Sequence, residues 1–193
     1  MQKKISKTPT IVCCDSLEEQ ARLTTLLAQD YDDVIGCQLS QFETLLQREP
    51  GANVVAGWKQ PSAELRLIID VCREKQRPLL VVIKQFLSND INRLPERMDY
   101  VLLPADSDLS LKPWLEHAAI ARASLLAMES EIESLAGKLE ERKMIEKAKG
   151  LLMKMHNVDE ESAYKAMRKS AMQSSQTLAQ VAKNILITLE TLK

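Results

Sequence analysis

The chain has 193 residues, 45% of them apolar and 27% charged, with a formal net charge of −1. That is enough material for one sizeable core and a smaller second unit. No run of about 18 uninterrupted apolar residues exists to span a bilayer, and Met1 to Pro9 carries Lys3, Lys4 and Lys7 with no long apolar stretch behind them, so a soluble, unexported, cytoplasmic protein is expected.

Through about residue 104, short apolar β-branched runs alternate with amphipathic stretches, the pattern of buried parallel strands separated by covering helices. Strands are predicted at Thr10 to Cys14, Val34 to Gln38, Asn53 to Ala56, Leu79 to Ile83 and Tyr100 to Leu103. Between them fall helices at Leu17 to Gln29, Gln41 to Arg48 and Ala63 to Lys75, with a poorly marked fourth near Ser88 to Arg93. Five strands with intervening helices make an α/β fold, a doubly wound parallel sheet.

After Pro104 the pattern becomes one very long helix, with candidate breaks at Pro113, which suits a first turn, and at Gly137. Leu111, Trp114, Ala118, Ala121, Leu125, Met128, Ile132, Leu135 and Leu139 are spaced alternately by three and four residues, a heptad seam. Its first half also suits the sheet's last helix. Leu125, Met128, Ile132, Leu135 and Leu139 extend past the sheet and are expected to join two copies of the chain in a coiled coil.

The last segment reads as three helices: the continuation through His156, a second from Asp159 to about Met172, and a third from about Gln176 to the end. Asp159 and Ser174 or Ser175 are the expected N-caps. Ile145, Ala148, Leu152 and Met155 share one helix face, as do Ala163, Met167 and Ala171, and then Leu178, Val181, Ala182 and Ile185. The domains expected are therefore 1–110, a 111–141 coiled-coil linker and 142–193. From Arg142 onward the chain carries ten basic and five acidic residues, against sixteen and twenty-two before it. A basic end on an acidic body points to a polyanion contact at the carboxyl end.

Cys13, Cys14, Cys37 and Cys72 form no Cys-x-x-Cys pair and have no histidine at metal-ligand spacing, so buried reduced thiols are expected, with no metal or cofactor. His117 and His156 lie in helical contexts away from the strand ends where such sheets place ligands, and no catalytic residue is assigned.

The order of elements up to Pro104 resembles a response-regulator receiver, whose chemistry is phosphorylation of an aspartate beside an acidic magnesium site. Where a receiver has its acidic pair, this chain has Cys14 and Asp15; counting back from Pro61, the acceptor position falls on Gly57. Ile83 stands in place of the hydroxyl residue, and Leu103 before Pro104 in place of the lysine. The resemblance thus implies a pseudo-receiver without a phosphorylation site, since magnesium needs oxygen ligands that the side chains of Cys14 and Gly57 do not supply.

Ala148-Lys149-Gly150-Leu151-Leu152-Met153, followed by Ala163-Tyr164, Met167-Arg168, Ala171-Met172 and Val181-Ala182, strongly resembles the ANTAR domain. A mid-helix Gly150 costs about 1 kcal/mol against alanine and needs a packing or contact reason. With the degenerate receiver, the stretch from Glu141 to Met155 is similar to regulators of nitrate and nitrite assimilation, and more distantly to the amidase-operon antiterminator. This resemblance implies binding to paired small hairpins of nascent leader mRNA, so that a terminator hairpin cannot form. It also implies control by a sequestering sensor protein in place of phosphorylation. Lys149, Arg168, Lys154 and Lys169 suit phosphates, and Tyr164 or the Arg168 guanidinium suits stacking on a loop base. Tyr164 reads equally as a core residue. The competing readings are a DNA-binding response regulator, against which the third helix offers only Lys183 before its final residue, and a dimeric protein-interaction adaptor.

Overall fold

The computed structural model describes residues 6–95, 99–105 and 110–190, and the chain divides into two compact units, residues 1–127 and 128–193. In the first, β1 (Thr10–Cys14), β2 (Val34–Cys37), β3 (Asn53–Trp58), β4 (Leu79–Ile83) and β5 (Val101–Pro104) form one sheet. All neighbours are parallel, in the order β2-β1-β3-β4-β5. This is the doubly wound receiver-like order, which places functional positions at the carboxyl ends of β1 and β3, where the winding reverses.

Alternation along each strand sends side chains to two separate cores. Ile11, Val54, Ala56, Leu79 and Val81 pack on one side, and Val12, Val55, Leu80 and Val82 on the other. Both faces are apolar because helices cover both. The covering helices are α1 (Leu17–Leu27), α2 (Leu39–Arg48) and α3 (Ala63–Glu74). Ser16 and Ser62 cap α1 and α3, their hydroxyls accepting from the amides of Glu19 and Leu65 at 3.3 and 3.2 Å. The poorly marked fourth helix is a 3-10 helix at Ser88–Arg93. There the Asp90 carboxylate accepts from the Leu87 amide at 2.9 Å, a local bond that competes with the α-helical pattern.

The long helix is α4 (Lys112–His156), 45 residues with Pro113 in its first turn and no break at Gly137. In the first unit Leu115 of this helix, and Leu111 just before it, pack in the core on one face of the sheet, and Ala118 is buried as well. One turn further, Arg122 Nη2 meets Asp99 Oδ2 at 3.1 Å, and Arg73 holds the same carboxylate with Nε and Nη2 at 2.8 and 2.9 Å. Asp99 is 1% exposed and Arg122 5%. Burial opposes the Asp99 charge, but hydrogen bonds and charge from Arg73, and then Arg122, outweigh it and hold this carboxyl below the usual carboxylate range.

In the second unit, the rest of α4 packs with α5 (Glu160–Ser174) and α6 (Leu178–Glu190). Ala148, Met167, Ala182 and Leu186 form the centre, with Ile145, Leu152, Leu178 and Ile185 around it. Asn157, with φ 49°, ends α4, and Asp159 caps α5, its Oδ1 accepting from Ser162 N at 2.9 Å. The expected cap at Ser174 or Ser175 is corrected. Ser174 is the last residue of α5, and Ser175 terminates it in the left-handed region. Thr177 caps α6 instead: its hydroxyl accepts from Gln180 N at 3.2 Å while Gln180 Oε1 accepts from Thr177 N at 2.8 Å. The expected run of this helix to Lys193 ends outside the described residues.

Replacing Asp99 with alanine leaves Arg122 buried without a counter-charge and is expected to cost about 3–5 kcal/mol in denaturant unfolding. Because the folded pKa is depressed, the Asp99 contribution is complete above the unfolded value near ~4 and is lost as pH falls through the folded one. Asp99→Asn should therefore lose less stability than the parent chain on acidification through that window.

Candidate functional site

The carboxyl ends of β1 and β3 meet at Cys14 and Gly57, which are in register. Asp15 donates its amide to the Gly57 carbonyl at 3.0 Å, and its Oδ2 accepts from Lys59 N at 2.6 Å. This carboxylate ties two loops together. Ile83 closes β4, and Leu103 lies in β5 beside Val82. A Cβ added at Gly57 would stand 2.7 Å from Leu23 Cδ1, 2.8 Å from Cys14 Sγ and 3.0 Å from Glu19 Cγ. The space an acceptor side chain needs is filled by neighbours.

Glu19 has no counterpart among the sequence-predicted site residues. It is 1% exposed on α1, and its carboxylate pairs with Arg22 Nη2 at 2.5 Å and Lys84 Nζ at 2.8 Å. Burial works against its charge, and the bonds from Arg22 and Lys84 overcome this, holding the carboxyl below its ordinary value. The residues do not fit a magnesium ion. Cys14 is a thiol that burial pushes up to about 12, Gly57 has no side chain, and the Glu19 oxygens are held by two cations. Cys13, Cys37 and Cys72 are buried free thiols.

The helical unit presents a second candidate site. Lys149, read from the sequence as a phosphate contact, is 8% exposed. Its ammonium is held by Glu146 at 2.6 Å and Glu160 at 2.7 Å, which raise its pKa through hydrogen bonds and charge. It fastens α4 to the first turn of α5. Arg168, Lys169 and Lys154 are exposed, and Tyr164 is 42% exposed, outside the core. A Cβ at Gly150 would meet nothing within 4 Å. Of the seam residues, Met128, Ile132, Leu135 and Leu139 are exposed and Leu125 is half-buried. At about 100° per residue Met128, Ile132, Leu135 and Leu139 lie nearly opposite the residues of the same unit's part of α4 that face the three-helix core.

Residues 133–186 match the ANTAR domain, so the chain carries an ANTAR domain after a receiver-like sheet, with α5 and most of α6 inside the matched span. The chain is 35% identical over 117 residues to the transcriptional regulatory protein PdtaR of Mycobacterium tuberculosis, covering 59% of this chain and 57% of that protein. It is also 42% identical over 62 residues to the nitrate regulatory protein of Klebsiella oxytoca, covering 32% of this chain and 16% of that protein. The chain thus spans less than two thirds of the length of these curated relatives. No helix among the described residues is long and apolar enough to cross a membrane.

Gly57→Asp is expected to lower stability by about 1–3 kcal/mol through overpacking. Intact-mass measurement after incubation with acetyl phosphate and magnesium should show no phosphoryl adduct on the variant.

Proposed function

We propose that the chain is an RNA-binding transcription antiterminator that grips hairpins in nascent leader mRNA and keeps a terminator hairpin from forming. The observation that carries the reading is Gly150. A glycine in the middle of a long helix costs about 1 kcal/mol against alanine, and here no side chain or other element among the described residues comes within 4 Å of where its side chain would be. Packing gives no reason for it, and close approach of an outside molecule would supply one. The ANTAR match over 133–186 and the exposed Arg168, Lys169 and Lys154 favour RNA as that molecule. Arg168, with its flat guanidinium, is the principal phosphate or base contact, and Tyr164 is exposed enough to stack on a base. Lys149 acts behind this surface as the tie between α4 and α5.

Two copies join through Leu125, Met128, Ile132, Leu135 and Leu139. The support is a row of four exposed large apolar side chains at heptad spacing. The filled space over Gly57 supports control without phosphorylation, exercised by a partner sensor protein that sequesters the regulator in the cytoplasm. The segments 1–110, 111–141 and 142–193 would then divide the work into sensing, pairing and RNA binding.

Arg168→Ala should weaken binding to hairpin RNA about tenfold in filter retention, flatten the salt dependence by somewhat under one unit of slope, and leave thermal stability nearly unchanged. Duplex DNA should be retained weakly by both proteins. Lys149→Met should instead lower stability slightly, through loss of the ion pairs to Glu146 and Glu160. Wild-type affinity and slope in Arg168→Ala would place the RNA surface elsewhere.

Sedimentation of the full chain should give a dimer, and Ile132→Asp with Leu135→Asp should convert it to a monomer with its helicity retained. An unchanged mass would refute the seam.

A further inference from the structure

A cleft of about 320 Å³ opens in the helical unit where the end of α4, the end of α5 and the middle of α6 converge. Its volume is at the low end for small-ligand sites. Leu152, Val181 and Ile185 supply apolar walls, and His156, Gln176 and Asn184 are the larger polar side chains at its edge. None of the ten lining residues is Lys, Arg, Asp or Glu, so the cleft suits a flat, uncharged, partly polar group and not a phosphate.

The two amides are already set against each other: Asn184 Nδ2 donates to Gln176 Oε1 at 3.2 Å. That bond leaves the Asn184 carbonyl oxygen, its second amide hydrogen and the Gln176 amino group to pair outward. Donors beside acceptors on planar groups are the complement of a nucleobase edge. Each helix also places an exposed lysine next in sequence to a lining residue: Lys154 beside Met155, Lys169 beside Ser170 and Lys183 beside Asn184. An uncharged cleft on a helical unit whose exposed lysines can meet phosphates suits a base splayed from a charged backbone.

We infer that this cleft receives one unpaired base of the hairpin loop, with Asn184 and Gln176 reading its edge, which presupposes the RNA binding proposed above. Asn184 and Gln176 are then specificity-determining residues, distinct from the surface around Gly150, Tyr164 and Arg168.

The test uses the full chain and a pool of hairpin RNAs with a fixed stem and a randomised loop. The best-retained hairpin is remade with each loop position in turn abasic. One abasic position should weaken wild-type binding about tenfold or more. Asn184→Ala should cause a similar loss on the intact hairpin, with helicity unchanged, and the two changes together should weaken binding little beyond either alone. Gln176→Ala should couple to the same position. If both variants bind like the wild type, or if their losses add to those of every abasic position, the cleft does not hold a base. If they alter sedimentation mass but not RNA affinity, it is a protein contact and the inference is overturned. A pool that yields no retained hairpin overturns both this inference and RNA binding, whereas retention without coupling overturns the cleft alone.

Discussion

The Asp99 carboxylate, closed off from solvent between Arg73 and Arg122, settles how α4 begins. A buried carboxylate with two guanidinium partners is stable only when all three stay in place, so Arg122 cannot move to another position around the helix without leaving a charge unpaired. Together with Leu111, Leu115 and Ala118, it fixes which side of the first turns of α4 faces the sheet. Because a helix rotates by a constant angle per residue, fixing those turns fixes the direction of side chains along the rest of the first unit's share of α4. The heptad row after Ala121 therefore begins from a defined phase.

Much of the first unit was legible because buried parallel strands announce themselves as short β-branched runs, and all five were found to within two residues at either end. The place of Gly57 near the carboxyl end of β3 was legible too, since it could be located from Pro61 and the strand phase. Glu19 was not. Ser16 and Glu19 stand at the spacing of a capping box, a pattern that sends the glutamate back toward its own helix end. In the fold only the serine does its part, accepting from the Glu19 amide, while the carboxylate turns to Lys84, a residue 65 positions away. Nothing local signals that pairing.

In the helical unit the apolar faces were readable from their spacing, whereas the roles of polar residues were harder to separate. Lys149 and Arg168 look alike in sequence, both basic and both in the motif. One carboxylate partner of Lys149, Glu146, lies a helical turn away and could be inferred. The other, Glu160, reaches it only because the chain reverses at Asn157. The cap of α6 is Thr177 and not Ser174 or Ser175, and Gln180 three residues after Thr177 is the signature that distinguishes it. Asn184 and Gln176 carry no motif at all; their pairing emerges from the junction of α5 and α6.

The crowding around Gly57 bears on what a substitution there would meet as well as on chemistry. With Leu23, Cys14 and Glu19 occupying the room beside Gly57, an aspartate there is not accommodated by one substitution alone. The carboxylate would have to displace a leucine methyl and a thiol at once, and would place a second negative charge beside Glu19. Such an arrangement works as an interlock: each neighbour holds room that the others would have to give up together.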